Sequence, residues 1–355
     1  MSTLTTQLRP RPLGELLDHA FRLYRRHFFT FIAIIAVVQI PASVIATLLV
    51  LVPSALQSNA LNMNAEPEEL LLNSGLTLAG SLFSTVISLI LVQGIGTAAM
   101  TRAITDDYLG QPTSFTSAYG RIGGKWGKLV KAVLLGWLIT VLLVIWFLIP
   151  CIGWLSGLGM LLFFSAIVLP LLPPAVILEN QRSARDYLWR AWDLARRRFW
   201  WVIGFTLTLV LFSLIIVQGP ATVFNYMFQF MGLTDWFGDS TTVLIAQTVL
   251  RSIVSVIASL LYYPLYLTAM TLLYFDLRVR FENFDLNYMA AQVYDETASA
   301  EALAAQAPPP SGSLITRDEF GQFILLSLAY GVIIFVIFGI FTFISMALMG
   351  VLGGM

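Results

Sequence analysis

Seven apolar runs, each about as long as a bilayer is thick in helical residues, divide this chain. They occupy roughly residues 28–53, 74–104, 128–149, 153–178, 199–230, 243–277 and 320–350. About 20 apolar residues carry a helix across the hydrocarbon core, where backbone N–H and C=O groups must find partners within their own segment. The expected fold is therefore all-α, a polytopic transmembrane helical bundle. Only 11% of the residues are charged and 58% are hydrophobic, whereas a soluble domain carries roughly 25% charged residues.

Charge then sets direction. All but one of the 20 Lys and Arg residues gather at Arg9–Arg26, Arg102–Lys131, Arg182–Arg198, Arg278 with Arg280, and Arg317. The exception, Arg251, sits inside the sixth run. Connections 54–73 and 231–242 hold Glu66, Glu68, Glu69, Asp235 and Asp239 but no base, and the short turn around Pro150 and Gly153 is uncharged. Basic connections stay in the cytoplasm, which predicts a cytoplasmic N-terminus and an outside C-terminus. The net charge of zero offers no general basic surface, so no nucleic-acid partner is expected. A single cysteine, Cys151, leaves no internal disulfide and no multi-cysteine metal site. The first run begins near Phe28, after a long amphipathic lead, and reads as a span and not as a signal peptide.

A short amphipathic segment precedes the first, third and fifth runs. Leu16, Leu17, Ala20, Phe21 and Tyr24 follow the spacing of one helical face. A shift of the numbering superimposes Ser114, Phe115, Ala118, Tyr119 and Ile122, and then Tyr187, Leu188, Ala191, Trp192 and Ala195. Arg25-Arg26-His27-Phe28 matches Arg196-Arg197-Arg198-Phe199. Such helices are expected to lie in the membrane plane. There the apolar face meets the headgroup boundary, and Arg25, Arg26, Arg196, Arg197 and Arg198 meet anionic headgroups at the cytoplasmic face. The architecture predicted for residues 1–290 is three repeats of an interfacial elbow helix plus a two-span hairpin, starting near 13, 111 and 184. Residues 291–315, rich in Ala, Pro, Ser and Gly, read as a flexible linker. Residues 316–355 form an appended seventh span, opened by a Thr316-Arg-Asp-Glu319 capping box.

Candidate sites are few. Pro170, Pro173 and Pro174 in the fourth run remove backbone donors and predict a kink or a short unwound stretch. An opened helix in lipid needs protein or a water cavity around its freed carbonyls, so this stretch and the Glu179 that follows form the leading candidate binding site. A packed proline kink is the plainer reading. Arg182 and Arg185 are the expected partners of Glu179. Arg251 either reaches the outer headgroups or pairs with Gln247, Gln218 or Gln93. Asp276 and Arg280 stand four apart and pair on one helix face. Adjacent Asp106 and Asp107 make a weak divalent-cation pair. Gly94, Gly96, Gly153, Gly157 and Gly159 read as close helix packing. His19 and His27 both fall on the first elbow, which suits an interfacial role. No nucleotide, hydrolase or zinc motif is present, so no catalytic residue, metal or cofactor is expected.

Three stretches carry a resemblance: Leu13-Gly-Glu-Leu-Leu-Asp with Ala20-Phe21, then Pro173-Pro174-Ala-Val-Ile-Leu-Glu179, then Tyr274-Phe-Asp-Leu-Arg-Val-Arg280 with Phe284-Asp-Leu286. Together they make residues 9–290 similar to the bacterial glycerophosphoryl diester phosphodiesterase membrane domain family. That resemblance implies a multi-pass protein of the bacterial plasma membrane. Some members join this domain to a soluble barrel that cleaves glycerophosphodiesters. Residues 278–355 read as a linker and a further span, so no catalytic residue carries over. The first functional expectation is a non-enzymatic integral membrane protein acting as scaffold, accessory subunit or lipid-contacting module, with a protein partner or a second copy of the chain. The second is a transporter or flippase-like protein for a lipid or small amphiphile. The third is a metal-dependent lipid enzyme built on Asp106, Asp107 or Asp276.

Overall fold

A computed structural model describes residues 9–58, 67–108, 111–230, 240–294, 305 and 315–352. Among them every regular element is a helix. Seven helices are long and apolar enough to cross a membrane: Phe28–Leu49, Ser74–Tyr108, Lys125–Phe147, Gly153–Leu178, Phe199–Phe228, Ile245–Glu282 and Arg317–Val336. Shorter helices, Leu13–Arg26, Phe115–Gly120 and Ala184–Arg196, stand before the first, third and fifth spans. The latter two open with reciprocal capping boxes, Ser114 with Ser117 and Ser183 with Asp186. Most of the 298–313 stretch lies outside the described residues, as do Glu66, Asp235 and Asp239 of the two base-free connections.

The first and third amphipathic helices bury much of their apolar faces against protein, whereas the second buries Ala118 and leaves Phe115 exposed. Leu16, Leu17, Ala20, Leu23 and Tyr24 are buried, as are Tyr187, Leu188, Ala191, Leu194 and Ala195. Each helix is tied down by a tyrosine. Tyr24 donates to the Leu261 carbonyl of the sixth span at 2.9 Å, and Tyr119 to the Ile34 carbonyl of the first at 2.7 Å. Tyr187 accepts from the Gln181 amide at 3.1 Å and donates to the Glu179 carbonyl at 3.4 Å. The three tyrosines do not occupy superimposed positions of the amphipathic segments.

The fourth span is the central post. Its apolar window is 67% buried, against 39% or less for the other six. Of the kink or short unwound stretch expected of three prolines, the unwound stretch does not form: the chain stays helical from Leu169 to Leu178. A π-helical turn, Phe164–Val168, immediately precedes the prolines. Wider turns of this kind relieve the clash between a proline ring and the preceding carbonyls. Leu171 to Glu179 are all buried, and Lys125 Nζ donates to the Ile177 carbonyl at 2.7 Å. Thus protein, not a water-filled gap, surrounds this segment. The turn before the fourth span is tight: Cys151 has φ of 64°, and a side chain at Gly153 would run into the Trp146 carbonyl.

Contacts at one end of the bundle join the end of the second span to the segments leading into the first and third, and the segment leading into the fifth to the start of the seventh. His27 Nε2 and Asp107 Oδ1 lie 2.7 Å apart, Arg121 is 3.5 Å from Asp106, and Arg196 is 3.3 Å from Glu319. This basic end is where the chain's charges meet.

The seventh helix packs on the fourth. Its Thr316–Glu319 capping box forms, Phe323 is fully buried between Phe163, Trp192 and Phe199, and Ser327 Oγ accepts the Gly159 amide at 2.7 Å.

Candidate functional site

The sixth span ends in Tyr274-Phe-Asp276-Leu-Arg278-Val-Arg280-Phe-Glu282, and helix geometry sorts these residues into two groups. Tyr274, Arg278 and Glu282 recur every four residues along one stripe. Asp276 and Arg280 form a second stripe, rotated by about 200° from the first. Each stripe meets a different part of the chain.

The first stripe closes on Glu179. That residue sits one position past the fourth span, in extended backbone, with its side chain fully buried. Arg190, on the third amphipathic helix, donates through Nε to both Glu179 carboxylate oxygens, at 3.0 and 3.1 Å. Arg190 also pairs through Nη1 with Glu282. Arg278 bridges the same two acids, 3.0 Å from Glu282 and 3.8 Å from Glu179. The Tyr274 hydroxyl donates to Glu179, and Gln181 Nε2 does so at 3.3 Å. Two carboxylates and two guanidiniums thus enclose one another, with the Glu179, Arg190 and Arg278 side chains at most 2% exposed. A like-sized group of buried ions is tolerated only when the charges balance and the hydrogen bonds are made. Burial alone would disfavour the Arg190 charge. The hydrogen bond to Glu282, with Tyr274 and Glu179 beside it, holds its pKa above the ordinary value.

The second stripe binds the N-terminal segment. Asp276 accepts the Arg11 amide at 2.8 Å and Arg280 Nε at 2.7 Å, and Arg280 in turn donates to the Arg11 carbonyl. This is the (i, i+4) pair expected from the sequence, with Arg11 as a third member that the sequence did not indicate.

The remaining candidates fall elsewhere. Pro170, Pro173 and Pro174 lie inside the fourth span, whose helix ends one residue before Glu179. Arg182 and Arg185, the expected partners of Glu179, are exposed, and Arg190 and Arg278 take their place. Arg251 is exposed on the flank of the sixth span, while Gln93 accepts from Trp137 Nε1 at 3.3 Å. Asp106 pairs with Arg102 at 3.0 Å, whereas the neighbouring Asp107 faces His27 and, at 3.8 Å, Arg26. The three aspartates Asp106, Asp107 and Asp276 therefore each have cationic partners of their own. Among the described residues no three His, Cys, Asp or Glu side chains come together as a metal ion requires. Arg25 and Arg26 are exposed on the first amphipathic helix. Arg196 and Arg197 both reach Asp193, each at 2.7 Å, and Arg198 lies 4.5 Å over the Trp201 ring.

His19 packs edge-on against Tyr108 at 6.0 Å. Burial, then the charges of Arg11 and Arg22, lower its pKa from 6.5 to about 4. A histidine held neutral in the fold and readily protonated when unfolded makes the unfolded chain bind more protons between those two values. Stability therefore falls as pH drops through that window. His19→Gln is expected to flatten this part of the profile, read as the thermal midpoint at pH 7, 5.5 and 4.5 beside the unaltered protein. Parallel profiles would rule His19 out as the source.

No family model, curated protein or solved structure matches the chain.

Proposed function

We propose that this chain is a non-enzymatic integral membrane protein that acts as a scaffold, accessory subunit or lipid-contacting module, with its basic end in the cytoplasm. The observation that carries this reading is the division of labour among its polar groups. The buried acids of the basic end, Glu179 and Asp276, are engaged by arginines, and the cavity between the third and fourth spans has apolar walls. A catalytic acid or base needs a side chain reachable by substrate. Glu179 and Asp276 are instead surrounded by arginines that hold helices together. The paired residues Asp106, Asp107 and Asp276 fit the same account and give little support to a metal-dependent lipid enzyme.

The three short helices, each before a two-span unit, support the three-repeat architecture of residues 1–290, with the seventh span added to it. The basic clusters support a cytoplasmic N-terminus and an outside C-terminus. The motifs around Leu13, Pro173 and Tyr274 support kinship with the bacterial glycerophosphoryl diester phosphodiesterase membrane domain family, and with it a plasma-membrane location. A transporter or flippase-like role would draw on the repeats. The proline segment, helical and buried, gives no opened stretch of helix for the lipid or small amphiphile that such a role would move.

Mass spectrometry of what accompanies the protein after gentle extraction from native membranes tests the reading. A stoichiometric protein partner is the result expected of an accessory subunit. A specific small molecule carried without any partner would overturn it in favour of transport. A tag placed after Met355 should be reached from outside intact cells, and access from inside alone would reverse the orientation of the last span.

A further inference from the structure

A cavity of about 360 Å³ lies between the third span, the fourth span, the third amphipathic helix and Ile315 at the foot of the seventh helix. Three helical stripes line it. Leu135, Ile139 and Leu143 come from the third span and Met160 and Phe164 from the fourth, both at four-residue spacing. The amphipathic helix contributes Arg185, Leu188, Trp189 and Trp192 at the i, i+3, i+4, i+7 spacing of one face. The stripe on the third span runs for about 12 Å. Pockets that hold small ligands measure roughly 300–1,000 Å³ and combine apolar walls with a few placed polar groups. Here the polar group is a single one, Arg185, at the first turn of the amphipathic helix.

Arg185 differs from the other arginines of its helix. Arg190 is engaged by Glu179 and Glu282, and Arg196 and Arg197 by Asp193. Among the described residues no acid pairs with Arg185, which is exposed. Its position at the basic end puts a cation at one end of an apolar slot, beside two indoles. Trp and Arg together mark the depth at which lipid headgroups lie.

We propose that this slot holds an acyl chain of an anionic membrane lipid, with the chain along Leu135, Ile139 and Phe164 and the headgroup at Arg185. The proposal rests on the lipid-contacting reading above and adds a lipid class and a place. The charge at the mouth selects anionic over zwitterionic headgroups, and the apolar walls exclude a free anion. The seventh helix supplies one rim through Ile315, so its docking on the fourth span completes the slot.

The test uses the full chain in nanodiscs of equimolar phosphatidylglycerol and phosphatidylcholine, released into native mass spectrometry. Retention of phosphatidylglycerol over phosphatidylcholine is expected at about fivefold, which is what ~1 kcal/mol for one arginine at an anionic surface amounts to. Arg185→Gln should bring that ratio close to one while a lipid is still retained. Ile139→Trp, which fills the slot, should lower retention of both. A preference untouched by Arg185→Gln, or retention untouched by Ile139→Trp in a protein of unchanged thermal midpoint, overturns the proposal. Because the bulkier side chain can disturb folding, a second measurement leaves the third span unaltered. Phosphatidylglycerol brominated on its chains should quench the fluorescence contributed by Trp189 and Trp192, read as the difference from the W189F/W192F protein. No quenching of that difference overturns the proposal as well. Inorganic phosphate at millimolar concentration should not displace the lipid; displacement would mean a site for free anions. None of these results alters whether a protein partner co-purifies, so failure of the slot and failure of the wider reading are distinguishable.

Discussion

Arg190→Met is expected to be among the most damaging single substitutions in this protein, costing about 3–5 kcal/mol, the usual penalty for leaving a buried charge without its partner. Arg190 touches both acids of the network, so its removal leaves Glu179 and Glu282 sharing only Arg278. Hydrophobic burial cannot make up the loss, because lipid tails are as apolar as leucine and spans associate through packing and polar contacts. Adding Glu179→Gln restores charge balance, since one acid and one base then remain, and the glutamine still accepts from Tyr274. The double variant Glu179→Gln with Arg190→Met should therefore be more stable than Arg190→Met alone. Ordinary independent sites would add their penalties. Equilibrium unfolding in mixed micelles, read by helical signal, gives all four corners of the cycle. Additive losses, or a harmless Arg190→Met, would show that the network does not act as a unit.

The spans were legible in the sequence because the bilayer imposes both length and composition, and the runs read from residues 28–53 and 153–178 lie on the helices Phe28–Leu49 and Gly153–Leu178. The Asp276–Arg280 pair was legible for a local reason, the four-residue spacing on a helix that had already been recognised. Glu179 was found as a candidate, but its partners were misread. Arg182 and Arg185 are nearer in sequence, whereas Arg190 is eleven positions away. Helical rotation held the missing signal. Arg185 and Arg190 differ by about 140° around the amphipathic helix. Arg190, three residues after Tyr187 and next to Ala191, lies on the apolar and therefore buried side. Arg278 was less accessible to such reasoning, since its choice of Glu179 depends on how the fourth and sixth spans pack. The apolar stripes of the first and third elbows could be read from spacing, but what covers them could not, because an apolar stripe records only that water is excluded. It does not say whether protein or lipid excludes it. Of the two readings the prolines allowed, the segment follows the plainer, packed one; the π-helical turn at Phe164–Val168 that precedes them carries no sign in propensity alone.

Gly159→Leu is expected to detach the seventh helix while sparing the rest of the bundle. A Cβ at Gly159 would fall inside the contact distance of the Phe323 carbonyl oxygen, and 2.9 Å from both the Phe323 carbonyl carbon and Ser327 Oγ. The obstruction is backbone, so no rotamer change of a flexible side chain relieves it, and one of the two helices must move. Overpacking of this kind costs ~1–3 kcal/mol where the neighbours can shift. Here the cheapest shift is outward movement of the seventh helix, because the fourth is enclosed by the other spans. That movement also breaks the bond from the Gly159 amide to Ser327 and withdraws Phe323 from Phe163, Trp192 and Phe199. Ser327 is 4% exposed, so a cysteine placed there reports the event directly. In a Cys151→Ser background, Ser327→Cys should react slowly with a membrane-permeant maleimide, and adding Gly159→Leu should raise the rate by about tenfold or more, the factor that 1.4 kcal/mol of lost packing gives. A cysteine at exposed Val332 should react at the same rate in both backgrounds. If the Ser327→Cys rate does not change, the helix tolerates the intrusion and its contact with Gly159 is not what holds it. If the rate rises and the thermal midpoint of the six remaining spans is kept, the seventh span is a separable addition docked at one glycine, and the slot beneath Ile315 should lose its rim with it.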